Sequence, residues 1–202
     1  MEIYYMKTCK KALSLILAAT MILSFTGCGS KKFSHDKVAK FARDNELTEF
    51  DDAQAICDEM DTYLYVCKCF NHSTGDDAQI IYDHLVNTFD YLPFLDPVET
   101  SVFYIDDKFG YDLTVLMTFE SEEDAQKFFD GYSDVYMDNG ETGEMNGYTY
   151  AFFREEYDER SDGSFAVYIC GDMVLVIETI VYNPKHVNDF CDTFGVASPY
   201  DF

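Results

Sequence analysis

No apolar run in this 202-residue chain reaches the roughly 20 residues that a bilayer-spanning helix needs; the longest covers only residues 12–25. Basic residues are scarce as well, 14 Lys and Arg against 38 Asp and Glu, for a net charge of −24. Beyond Asp44 the imbalance steepens to six basic against 35 acidic residues. With no basic stripe to displace phosphate counterions, nucleic acid is excluded as a partner. The chain also lacks a Gly-x-Ser-x-Gly elbow and a phosphate-cradling glycine loop, so nucleophilic and phosphoryl-transfer chemistry have no support. Carboxylates are too numerous for any sequence-adjacent pair to mark a catalytic acid and base. No catalytic residue and no cofactor is assigned, and the reading leans away from an enzyme.

What is there begins at the N-terminus. Lys10 and Lys11 precede the apolar run, and Thr26-Gly27-Cys28 follows it. A positive flank, a run of signal-peptide length and small residues before the cut describe an export signal. Phe25-Thr26-Gly27-Cys28 resembles the bacterial lipobox, with Phe25 where Leu is usual and Thr26 where Ala or Ser is usual. That resemblance implies cleavage after Gly27, a diacylglyceryl thioether on Cys28 and often an N-acyl chain such as palmitate. Two acyl chains make a stable anchor where one does not. Met6-Lys7 is a more usual start than Met1, since residues 2–5 add no positive charge. The expected organisation is a signal peptide over 1–27, a lipidated tether over 28–33 and a single α+β domain over 34–202. The expected location is the extracellular face of the cell membrane.

Removal of residues 1–27 takes away Glu2, Lys7, Lys10 and Lys11 and leaves 175 residues with 11 basic and 37 acidic side chains. That is long enough for one domain with a real core. Residues 31–44 hold five basic and two acidic residues, a basic tether beside an acidic body, which suits an anionic membrane surface. The acidity fits solubility first and a cationic partner second. Five cysteines remain after Cys28, namely Cys57, Cys67, Cys69, Cys170 and Cys191. Their odd number excludes a complete disulfide framework, and which of them pair, if any do, stays open.

Periodicity then divides the domain. Residues 34–92 read as mainly helical. Ser34 caps a helix bearing Val38, Phe41 and Ala42, and residues 47–49 break it. Asp51 or Asp52 caps a second helix with Ala53, Ile56, Cys57 and Met60 facing inward. Residues 63–70 read as a strand, 71–75 as a turn, and a helix from Asp76 carries Ala78, Ile81, Tyr82, Leu85 and Phe89. Pro93 and Pro97 mark a boundary. Residues 98–202 follow with strands at 98–105 and 111–119, a helix capped at Ser121, a polar loop over 138–146, and a strand at 147–156. A hairpin about Gly171-Asp172 comes next, and a last helix stops at Gly195. Residues 101–132 and 164–195 thus repeat one plan, hairpin then amphipathic helix. The fold class is α+β, an antiparallel sheet covered by amphipathic helices, ferredoxin-like or a variant of it.

The 26–32 junction, the strand followed by Ser-Glu-Glu-Asp-Ala over 111–125, and the Gly-Asp hairpin before Val187–Gly195 together resemble a large group of small, uncharacterised lipoproteins of Gram-positive bacteria. The resemblance implies an exported α+β domain and lends no activity.

One cluster has the look of a metal or redox site: Cys67, Cys69 and His72. Residues two apart on a strand share a side, so both thiols could converge with His72 just past the strand's end. A closed zinc site lacks a fourth ligand here, and two small core hydrophobes explain the cysteines more simply. The other histidines, His35, His84 and His186, read as cap or exposed helix positions. Asp158 and Gly163 have a calcium-loop separation, but Arg160 and Ile169 stand where oxygen ligands are needed, so this is a hairpin turn. Tyr63 with Tyr65, and Tyr148, Tyr150 and Phe152, form aromatic stripes able to take a cationic peptide or a wall fragment. The expected function is a lipid-anchored, noncatalytic binding or interaction module. Its partners would be the membrane, through Cys28, and a cationic peptide, wall fragment or envelope protein. The alternative is a metal- or thiol-redox-active surface protein using Cys67, Cys69 and His72. A spacer role in the envelope is a third reading, and oligomeric state is not legible.

Overall fold

Helix α1 (His35–Asp44) starts directly after Ser34, whose carbonyl accepts from the amides of Lys37 and Val38 at 3.0 and 3.2 Å. The Ser34 hydroxyl itself makes no cap bond. In this computed structural model the described residues are 33–61, 66–88, 94–107, 110–136, 140–158, 161–181 and 185–200. The signal segment, the tether through Lys32 with Cys28, and Tyr63, Tyr65, Phe89, Pro93, Asp138 and Pro184 lie outside them. After α1 come β1 (Thr48–Glu49), α2 (Ala53–Met60), β2 (Cys67–Thr74) and α3 (Asp76–Thr88). Then follow β3 (Pro97–Asp107), β4 (Gly110–Phe119), α4 (Glu122–Tyr136), β5 (Gly140–Met145) and β6 (Tyr148–Asp158). The last elements are β7 (Ser161–Cys170), β8 (Met173–Val181) and α5 (Lys185–Phe194).

All eight strands form one sheet in the order β1-β2-β3-β4-β8-β7-β6-β5. The protein is therefore α+β, with a mixed sheet and five helices among the described residues. Two caps match their sequence signals. Asp52 accepts from the amide of Ala55 at 3.0 Å, and Ser121 exchanges hydrogen bonds with the amide and carboxylate of Asp124 at 3.1 and 2.7 Å. Helices α2, α3 and α4 cover one face, over a core that includes Cys67, Cys69, Ile81, Val102, Val115, Met117, Phe128 and Val176. Helices α1 and α5 meet on the other face, where Phe41, Phe103 and Phe190 form a triangle with ring centroids 5.0–5.5 Å apart.

Three expectations need correction. The sheet is not wholly antiparallel, because β1 arises where residues 47–49 suggested only a break, and it pairs parallel with β2. Phe50 then donates its amide to the Phe70 carbonyl at 2.9 Å, and Asn71 Nδ2 donates to the Phe50 carbonyl at 2.8 Å. Secondly, residues 71–74 are strand, not turn. The buried Asn71 serves this cross-strand contact, and the actual turn is Gly75 at φ +60. Thirdly, the loop expected over 138–146 contains β5, paired with β6 from Gly140↔Phe153 to Met145↔Tyr148. The missed signal was Asn146-Gly147, both at positive φ (54° and 88°), the residue pair a two-residue hairpin turn favours. Gly143 fits under Tyr150 because a Cβ there would lie 2.6 Å from the phenol oxygen.

The repeated plan survives in its hairpins and fails in its helices. The hairpins β3–β4 and β7–β8 meet at the β4–β8 seam, but α4 lies on one face of the sheet and α5 on the other. Phe190 anchors α5 at 0 % exposure. Phe190→Ala is expected to lower unfolding free energy by about 3–5 kcal/mol, the cost of emptying a large aromatic site, as read from urea midpoints.

Candidate functional site

The strand's true length decides the fate of the cysteine cluster. Since β2 runs on to Thr74, its side chains alternate through His72, and Cys67 and Cys69 point to one face while His72 points to the other. The thiols lie 3.5 Å apart beneath α2, where Cys69 is fully buried and Cys67 is 7 % exposed. Burial, with the neighbouring Cys67 second, raises the pKa of Cys69, and burial raises that of Cys67. Cys57 is pushed up to about 11 by burial and then by Asp61 and Asp58. Cys57, Cys67, Cys69 and Cys191 are buried free thiols. Such thiols are poor nucleophiles and poor ligands.

On the opposite face, His72 joins residues that sequence reasoning passed over. Register places it across from Ser101 on β3, and Glu99, two residues earlier, shares that face. His35, the first residue of α1, enters from above; it is buried at 8 % exposure rather than the exposed or cap residue expected. One hydroxyl joins the two rings: Ser101 Oγ lies 2.8 Å from His35 Nδ1 and 2.9 Å from His72 Nδ1. The Nε2 atoms turn toward Glu99, at 3.6 Å for His35 and 3.4 Å for His72. Thr118 Oγ1 stands 2.9 Å from His35 Nε2. The ring centroids are 5.4 Å apart. Burial, reinforced by His72, lowers the His35 pKa to about 4, so its imidazole is neutral at ordinary pH. One donor atom from each of His35, His72 and Glu99 lies within 4.8 Å of the others. His72 and Glu99 keep 37 % and 34 % of their side-chain surface exposed, so the group opens to solvent.

Glu178 is buried in the helix-covered core, with Oε1 accepting from Tyr132 Oη at 2.8 Å and Oε2 without a partner. It lines a small cavity with Tyr82, Leu113, Met117 and Phe128, and burial raises its pKa to about 7. The aromatic stripe on β6 is partly closed. Tyr148 is 6 % exposed, packs on Phe33 and Tyr168, and accepts from the Ala197 amide at 2.9 Å.

No protein-family model matches this chain, and no curated protein matches it. Among solved structures, the extracellular domain of PknH from Mycobacterium tuberculosis is similar over 48% of this chain and 62% of that one, at 7% identity and a TM-score of 0.36. A likeness of that size bears on neither ligand nor activity.

Two outcomes follow from these environments. In the folded protein Cys57, Cys67, Cys69 and Cys191 are expected to react with a water-soluble thiol reagent only as fast as the chain opens; rapid labelling of Cys67 or Cys69 would contradict their burial. For Glu178 the sign follows from its raised pKa. Below about 4.5 both folded and unfolded forms are protonated and the fold keeps this contribution in full. As pH rises toward 7 the unfolded chain ionises first, so stability is lost. Glu178→Gln is expected to remove a decline of up to about 3 kcal/mol between pH 5 and 8, measured by denaturant unfolding at several pH values.

Proposed function

We propose that this chain is a lipid-anchored, noncatalytic binding domain on the outer face of the cell membrane, with its binding site at His35, His72 and Glu99. The observation that carries the anchor is the N-terminal order: Lys10-Lys11, a short apolar run, then Thr26-Gly27-Cys28. Cys28 bears the lipid, in the manner of the small Gram-positive lipoproteins that the junction resembles. The domain begins almost at once, with His35 only seven residues after Cys28. The binding site is supported by the convergence of two imidazoles and a carboxylate on an accessible face. Beyond the membrane, a cationic peptide, wall fragment or envelope protein suits the acidic body as partner. Against the redox alternative built on Cys67, Cys69 and His72 stand the placement of His72 on the opposite face from the two thiols and the burial of those thiols.

As to architecture, we read the hairpin-then-helix units as a variant of the ferredoxin-like arrangement. Their element order supports this; the side-by-side placement of consecutive strands, in place of interleaving, is what makes it a variant.

Cys28→Ser is the direct test of the anchor. In cells fed a radiolabelled fatty acid, the native chain is expected to take up label and sediment with membranes. The variant should take up none, and either be released after processing or persist as uncleaved precursor. Label and processing unchanged in Cys28→Ser would refute the anchor.

A further inference from the structure

We propose that His35, His72 and Glu99 bind a divalent transition-metal ion of borderline softness, zinc being the reference case, and that Ser101 orients both imidazoles as ligands. The proposal names the ligand of the cluster described above and rests on that cluster being the binding site. It does not depend on the lipid.

The convergence of one ligand atom from each of His35, His72 and Glu99 within 4.8 Å carries the argument, and the hydrogen bonds of Ser101 support it. A serine hydroxyl has two lone pairs and one proton, so it can accept from two imidazole N–H groups but donate to only one imidazole nitrogen. Ser101 is fully buried and lies within 2.9 Å of both Nδ1 atoms. Both contacts are hydrogen bonds either with both rings protonated on Nδ1 or with Ser101 donating to one Nδ1 and accepting from the other. In the first arrangement each Nε2 keeps its lone pair, which at His35 accepts from Thr118 Oγ1 at 2.9 Å until an ion displaces that hydroxyl. Metal-ligating histidines are held in this way, the distal N–H given to an oxygen that fixes tautomer and ring plane.

Both Nε2 atoms face Glu99. At 3.4 and 3.6 Å from its carboxylate oxygens they stand beyond the roughly 2.7–3.2 Å of an N–H···O hydrogen bond. Those two separations, each to a different oxygen of Glu99, are close to a coordination edge, and one donor atom from each of the three residues lies within 4.8 Å of the others. Four ligands about 2.1 Å from a tetrahedral ion lie about 3.4 Å from one another. Thr118 borders the site at His35 Nε2, and solvent reaches it past His72 and Glu99. Two neutral imidazoles and one carboxylate suit zinc and its first-row neighbours. Calcium and magnesium demand oxygen ligands, and copper(I) favours sulfur. A water molecule would complete the coordination.

The test is a zinc titration of the untagged, full-length lipidated protein in detergent after chelator treatment, read by calorimetry, with cobalt(II) absorption as the spectroscopic probe. The expected result is one ion per chain, bound at least tenfold more weakly in His72→Ala and in Glu99→Gln, with millimolar magnesium or calcium failing to compete. Both substituted residues are partly exposed and outside the core, so the variants fold; His35, being buried, is left intact. Ser101→Ala should weaken binding by about 10- to 100-fold, as loss of an orienting partner does. Zinc that binds equally well to His72→Ala and Glu99→Gln, or no binding by the native chain, would overturn the proposal. Cys28→Ser separates the two claims. If it binds zinc as the native chain does, the metal site stands whatever becomes of the anchor; an anchored native chain that binds none keeps the lipid and loses the metal.

Discussion

The antiparallel pairing of β4 with β8, from Tyr111↔Ile180 to Thr118↔Met173, is what the remaining structure depends on. Each half of the chain makes a run of neighbouring strands, β1-β2-β3-β4 on one side, with β1 parallel to β2, and the antiparallel β8-β7-β6-β5 on the other. A small sheet has two apolar faces to cover and too few helices to do so. Joined at this seam, the halves share their covering. Helix α4 leaves β4 and packs on β7 and β8, while α5 leaves β8 and places Phe190 against Phe103 of β3. Each helix thus shields strands of the other half.

The same joint decides where polar groups end up. On the face under α2, α3 and α4 the seam brings Val115 beside Val176 and Leu113 beside Glu178, so that carboxylate sits in hydrocarbon with Tyr132 as its partner. On the other face it contributes Thr118 to the histidine cluster and Thr179 to a hydrogen bond with Asp112. Buried polar groups that are paired cost little, whereas the carboxyl of Glu178 resists ionisation because burial strips its solvent, and its Oε2 lacks a partner.

Much of this was legible from spacing. The helical faces of α1, α2 and α4, the caps at Asp52 and Ser121, and the hairpin about Gly171-Asp172 follow from residue types at fixed offsets. The candidate site was not. His72 looked like a neighbour of Cys67 and Cys69 because the strand seemed to end before it, and one wrong end point reverses every later assignment of face. Asn71 and Ser73 are poor strand formers, and only the contact with Phe50 and the pairing with β3 keep them extended. His35 could not be placed by local pattern. It sits at a helix start, where an exposed polar residue is the ordinary expectation, and only the docking of α1 on β2 and β3 carries it inward. Ser101 and Glu99 share a face by their spacing of two, yet nothing local shows that histidines lie above them.

The two outer strands of the sheet have a consequence for life at high density. An open sheet edge invites a neighbouring copy to add its own strand. Among the described residues β1 is only two residues long, too short to template a ladder. At the other edge β5 carries Glu141 and Glu144, and its Gly143 lies under the Tyr150 ring. A second β5 laid alongside would bring four carboxylates together on a weak, glycine-containing strand. One edge is blunted by brevity and the other by charge, so crowding of copies does not become fibre growth.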